Sequence, residues 1–198
     1  MTGRVSTRTR STKETQIEVR VDLDGSGTVD VDTGLPFFDH MLSQLGRHGG
    51  IDLKVFARGD LHVDTHHTVE DVAIVLGEAV GEALGDKDGI RRFGSALLPL
   101  DEALVEVALD LSGRPFIVYE VACGADALHL GTPPFDPQLG EHFFQSFATS
   151  AGITLHIHLR SGRNTHHILE ACFKGVARAL RDAIRVDGVG VPSTKGQL

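Results

Sequence analysis

Cysteine is nearly missing from this chain of 198 residues, which holds only Cys123 and Cys172. A disulfide framework and a thiolate metal cage are both excluded, so any metal has to be held by nitrogen and oxygen. Tryptophan is absent and tyrosine occurs once. No apolar run approaches the roughly 20 residues that cross a bilayer, and the first residues lack the apolar core of a secretory signal. No basic block is long enough to follow a phosphate backbone, and 19 basic against 27 acidic residues leave a net charge of −8. Neither nucleic acid nor membrane is expected as a partner, and a cytoplasmic location is expected. Histidine stands out against these absences, at 11 residues.

The length suits one domain, or two half-domains sharing a core. Met1 to Lys13 is rich in Ser, Thr and Arg and free of acids, which reads as a mobile arm rather than a transit peptide. From Ile17 the chain states one plan twice. Ile17, Val19, Val21 and Leu23 alternate with polar residues, and after Gly25-Ser26-Gly27 so do Val29 and Val31, which predicts a strand, a turn and a strand. Leu104 to Leu109, Ser112-Gly113 and Phe116 to Val121 repeat it, with Leu23, Asp24 and Gly27 matched to Leu109, Asp110 and Gly113. Phe37, Phe38, Met41, Leu42 and Leu45 have helical spacing, and Ile51 to Val55 alternates like a strand. Glu141 to Gly152 and Ile153 to Ile157 are their counterparts. Two longer amphipathic helices follow, on Val69, Val72, Leu76 and Val80 and on Ile168, Leu169, Cys172, Val176 and Leu180. Each half therefore reads strand, strand, helix, strand, an optional short strand, helix. This is a duplicated α+β pattern, with repeats at about 9–92 and 93–198 in a single domain and a longer loop inserted over Gly124 to Pro137.

The chemistry lies in what the copies share. His66-His67-Thr68-Val69-Glu70 and His166-His167-Ile168-Leu169-Glu170 follow the candidate N-caps Asp64-Thr65 and Asn164-Thr165, so both sets fall in the first turn of a helix. The Glu is a same-face neighbour of both His, while adjacent His side chains point about 100° apart and can serve different metals. His40 and His142, from the shorter helices, complete two equivalent sets of His and Glu. A single His pair is ordinarily a surface or capping feature, but the same triplet in one register of two diverged copies points to metal. Imidazole and carboxylate without thiolate suit Mn(II), Fe(II) or Zn(II). His48, His62, His129, His156 and His158 lack repeat partners and read as ordinary strand or loop residues. Asp22 to Thr33 begins like a calcium loop, but its twelfth position is Thr33 rather than Glu, and a hairpin turn explains it. Cys172 falls on an apolar helix face and reads as a core thiol.

Thr12-Lys13-Glu14-Thr15, Phe38-Asp39-His40-Met41-Leu42, His66 to Asp71, Leu109 to Pro115, Glu141-His142-Phe143-Phe144, His166 to Ala171 and Pro192 to Gly196 together resemble the imidazoleglycerol-phosphate dehydratase family. The resemblance covers residues 9 to 198. It implies a four-helix bundle between two four-stranded sheets, two Mn(II) per subunit on His40, His66, His67, Glu70, His142, His166, His167 and Glu170, and a 24-subunit assembly with metal sites between subunits. The implied activity is a hydro-lyase step of histidine biosynthesis, turning imidazole glycerol phosphate into imidazole acetol phosphate. A metal-bound imidazolate and a diazafulvene-like intermediate would make the unactivated C–H and C–OH bonds breakable. Glu14, His67 and Glu170 are the implied catalytic groups. Substrate contacts would come from Glu14, His40, His66, Arg92, Arg114, Lys174, Ser193 and Lys195, with the tail from Val191 to Gly196 closing on the phosphate. A two-metal phosphomonoesterase and a purely structural metal assembly are the rival readings.

Overall fold

The computed structural model describes residues 3–123, 129–196 and 198. The chain runs β1 (Val5–Ser11), β2 (Thr15–Asp22), β3 (Val29–Asp32), α1 (Pro36–Gly49), β4 (Asp52–Gly59), α2 (His66–Leu84), then β5 (Phe93–Leu100), β6 (Ala103–Asp110), β7 (Phe116–Glu120), α3 (Leu139–Ala151), β8 (Thr154–Ser161) and α4 (Thr165–Ala183). The duplication is complete, and the architecture is the expected α+β one. Two four-stranded sheets, ordered β1-β2-β4-β3 and β5-β6-β8-β7, enclose a layer of four helices. Within that layer α1 packs on α4 and α2 on α3, so each helix pair joins one repeat to the other.

Alternation explains the sheets. In β2, Ile17, Val19 and Val21 point inward and are buried, while Gln16, Glu18 and Arg20 face solvent. A core built from both sheets and all four helices follows, with Phe38, Phe143, Phe144, Phe147 and Phe173 fully buried. α1 starts at Pro36, whose missing N–H costs nothing there, and stops at Gly50 in the left-handed region at φ 66°. Asn164 caps α4 by accepting the His167 N–H; at α2 the Asp64 carboxylate, one residue before the cap position, accepts the His66 N–H at 2.8 Å.

Three expectations are corrected. The arm expected over Met1 to Lys13 contains β1, which pairs antiparallel with β2 from Val5–Asp22 to Ser11–Gln16. Its hydroxyls and guanidiniums hid an edge strand in which only Ser6 is buried, and Arg10 of β1 and Thr15 of β2 both reach the buried Asp71 of α2. The extra strand of each repeat therefore precedes the others and does not follow β4. Next, β2 and β3 form no hairpin, because β4 lies between them and pairs in parallel with β3. The turn at Gly25 to Thr28 is instead tied down by Asp52, whose carboxylate accepts the Ser26 and Thr28 N–H groups at 2.8 Å. Last, the repeats align two residues away from the sequence match: Val5 pairs with Asp22 as Phe93 pairs with Asp110, so Asp110 corresponds to Asp22 rather than Asp24. A slip of two keeps every side chain on its own face, which is why alternation alone could not detect it. The loop expected over Gly124 to Pro137 lies partly outside the described residues.

β5 crosses α4 without a side chain between them. A Cβ on Gly94 would stand 1.9 Å from the carbonyl oxygen of Ala179. Gly94→Ala has to push backbone away from backbone, and is expected to cost about 3 kcal/mol or more, read as a fall in the urea unfolding midpoint. An unchanged midpoint would mean that the strand and helix are not in contact.

Candidate metal centres

The helix layer gathers the shared His and Glu residues at the N-terminal ends of its helices, in two clusters that each draw on both repeats. His40 of α1 meets His166 and Glu170 of α4; His66 and Glu70 of α2 meet His142 of α3. In each cluster the ligand atoms lie within 4.8 Å of one another. In the first, one carboxylate oxygen of Glu170 lies 3.1 Å from His40 Nε2 and 2.9 Å from His166 Nε2. Burial pushes the Glu170 carboxyl up, but hydrogen bonds from Lys174, His40 and His166 outweigh it and hold the pKa at about 2. In the second, Glu70 Oε1 lies 3.2 Å from His142 Nε2, yet that buried nitrogen has no hydrogen-bond partner among the described residues. A buried imidazole nitrogen without a proton partner, facing a carboxylate oxygen and a second imidazole, is what a divalent cation would satisfy. The donors fit a metal such as Mn(II), Fe(II) or Zn(II), each chain supplying three per cluster.

The second histidine of each pair points elsewhere. The rings of His66 and His67 are 83° apart, and those of His166 and His167 are 86° apart. His67 Nδ1 lies 3.1 Å from Asp60 and 3.8 Å from Glu14, and its pKa is raised, chiefly by the hydrogen bond to Asp60. His167 Nδ1 lies 2.8 Å from Glu102, whose carboxyl His167 and the amides of Asn164 and Arg163 hold down at about 2. With Nδ1 held by a carboxylate, the usual support for a metal-bound imidazole, each ring leaves Nε2 for other partners, that of His167 lying 3.8 Å from the exposed Asp101. Glu102 and Asp60 escaped the sequence reading. Glu102 holds the same place in the β5–β6 turn as Glu14 in the β1–β2 turn, so the repeat register read two residues further along would have found it.

The residues expected at a phosphate form a separate cavity of about 530 Å³, lined by Arg92, Arg114, Ser193, Lys195 and Leu198 among others. Arg92 anchors it: the Asp110 carboxylate takes its Nε and Nη2, and the Pro192 carbonyl takes Nη1 at 2.9 Å, which docks the tail. Lys174 is not part of it, being held 2.5 Å from Glu170 at the metal end. The two ends are far apart, for the Arg92 N–H bonds Ala183 at the far end of α4. From Glu170 to Ala183 that helix rises about 20 Å at ~1.5 Å per residue. Cys172 is fully buried and its thiol is pushed up by burial, as a core residue should be. No helix among the described residues is long and apolar enough to cross a membrane.

Known proteins match this arrangement throughout. The family model of imidazoleglycerol-phosphate dehydratase matches residues 33–180. The imidazoleglycerol-phosphate dehydratase of Acidothermus cellulolyticus is 59% identical over 98% of this chain and 93% of its own. That of Methanopyrus kandleri is 56% identical over 96% of this chain and 94% of its own. The crystal structure of the Staphylococcus aureus enzyme superposes with a TM-score of 0.81 at 35% identity, covering 92% of this chain and 99% of that one. The Pyrococcus furiosus structure gives 0.78 at 35% identity, covering 96% and 100%. With its sequence, its duplicated fold and its paired His and Glu clusters all in agreement, this chain belongs to the imidazoleglycerol-phosphate dehydratase family of enzymes.

Proposed function

We propose that the enzyme dehydrates imidazole glycerol phosphate to imidazole acetol phosphate, using two divalent metals per subunit, Mn(II) by family resemblance, in a homo-oligomer of 24 chains. The observation that carries this reading is the separation of two half-sites within one chain. The three-carbon linker between ring and phosphate reaches only about 7 Å with bonds near ~1.5 Å. The clusters and the tail cavity stand about 20 Å apart at ~1.5 Å per helical residue. One substrate can engage both only if the cavity comes from another subunit.

The same logic completes the metals. Each cluster has three ligands from its own chain, and His67 and His167 are the two remaining members of the repeated set, held by Asp60 and Glu102. His67 of one subunit would join one cluster of a neighbour, and His167 the other, so that roughly four protein residues would hold each metal. Phe93, Leu97 and Phe116, each about 60% exposed on the outer face of the second sheet, offer apolar surface for such contacts.

When bound, the metals would supply Lewis acidity at the two ring nitrogens, easing the diazafulvene-like route expected from the sequence. This chain's residues do the rest. Arg92, Arg114, Ser193 and Lys195 hold the phosphate, with guanidinium forks and an ammonium matched to its oxygens. Lys174 keeps Glu170 ionised and faces the ring with His40 and His66. Glu14, exposed beside His67, takes the C–H proton from the second carbon out from the ring; the hydroxyl on the carbon attached to the ring leaves as water, and the resulting enol becomes the ketone. Metal-loaded protein given imidazole glycerol phosphate is expected to yield the ketone with phosphate retained. Release of inorganic phosphate would favour a phosphomonoesterase, and no turnover would leave a structural metal assembly.

A further inference from the structure

A second basic cavity, of about 450 Å³, lies where the C-terminal ends of α1 and α4 meet the start of β1. Its wall carries Arg4, Arg47, Arg181 and Arg185 against the single carboxylate of Asp24. Arg4 is built in as Arg92 is. Each precedes the first strand of its repeat, and each gives its carbonyl to a leucine beyond the second strand, Leu23 or Leu111, at 3.0 Å. Each forks onto an aspartate, Asp24 or Asp110, and each spends its remaining nitrogen on a carbonyl of the C-terminal segment, Ile184 or Pro192. Beside Arg92 stand two further cations, Arg114 and Lys195. Beside Arg4 stand Arg47 and Arg181, neither of which has a carboxylate partner among the described residues, whereas Arg185 reaches Asp187 at 3.7 Å.

The ordinary role of arginine in a last helical turn is to offset the helix dipole. Two helix ends amount to about −1 charge in total, and Asp24 adds one more. With Asp187 beside Arg185 counted as well, four guanidiniums still exceed the negative charge by about one, in a protein whose net charge is −8. Arg181 lies over Gly50, where even a Cβ would stand 3.5 Å from its Nε, so the glycine leaves the guanidinium open to the cavity.

We infer that this cavity is a second anion site, taking a small oxyanion of the phosphate class on Arg47 and Arg181 over the Arg4–Asp24 floor. The parallel with the tail cavity rests on the phosphate reading of that cavity; the excess charge does not. Equilibrium dialysis of the metal-loaded full-length protein against radiolabelled inorganic phosphate tests it. The parent is expected to hold about two phosphates per chain, and R47Q/R181Q about one, with turnover within about twofold of the parent. R114Q/K195Q is expected to keep the R47Q/R181Q-sensitive phosphate and lose the other. Equal phosphate in the parent and in folded R47Q/R181Q, or a cavity closed by a neighbouring subunit so that only R114Q/K195Q loses phosphate, overturns the inference. If R114Q/K195Q loses nothing, the tail-cavity reading fails and the second site is judged by R47Q/R181Q alone.

Discussion

Chelation of the divalent metal is expected to abolish turnover and to break the assembly into smaller species, both restored when Mn(II) is returned. Each chain brings three candidate ligands to each cluster, and the remaining histidines of the repeated set, His67 and His167, meet Asp60 and Glu102 instead. A metal whose fourth ligand comes from a neighbour is part of the subunit contact, and its removal leaves clustered imidazoles and a carboxylate facing an empty seam. Metal–ligand free energies on the order of 10 kcal/mol per site are comparable with those of an ordinary subunit interface. Native mass measured with and without chelator, alongside metal content, reads the result directly. Metal-free protein that keeps its full mass would mean that the metals are bound within single chains.

Glu170→Gln is expected to lower kcat/KM by on the order of a thousandfold or more, since it removes a ligand carboxylate rather than a supporting group. The carboxylate sits among Lys174, His40 and His166, and their hydrogen bonds overcome its burial to hold its pKa at about 2. Because the folded value is depressed, the stabilisation it gives is complete above the ordinary carboxylate value of 4.5 and is lost as pH falls towards 2. Metal binding needs deprotonated ligands, so metal content should fall on acidification. Glutamine is neutral and coordinates weakly, and Lys174 keeps a half-buried charge without its carboxylate partner. Metal content measured on the variant should fall by about one equivalent per chain. Full metal content with full activity would remove Glu170 from the site.

Much of this was legible in the sequence because two periodicities carry it. The His-His-x-x-Glu triplets announce themselves at helix starts, and their divergence there follows from helical geometry, as their separate partners bear out: His66 and His166 join the clusters while His67 meets Asp60 and His167 meets Glu102. What escaped was non-local. β1 is a polar edge strand recognisable only by its pairing with β2, and β5 is its twin. Without those strands the repeat register slid by two residues, which hid the equivalence of Glu14 and Glu102. The exchange of helices between repeats, which sends His40 to Glu170 and His142 to Glu70, depends on which helices pack together, and no local pattern encodes that. The tail from Val191, expected to close on a phosphate, is tied to Arg92 by a hydrogen bond to the Pro192 carbonyl, a contact no local pattern encodes.

The arrangement expected is one in which a substrate is gripped by the metal end of one chain and the tail cavity of another. It is tested by mixing Glu170→Gln and Arg114→Gln chains, each nearly inactive alone, stripping them of metal together and reassembling them with Mn(II). If the ends come from different chains, random assortment at equal amounts leaves both intact in about a quarter of the sites, and roughly that share of parental activity should return. If both ends of each site belong to one chain, every site carries one of the two lesions and the mixture stays as inactive as its parts.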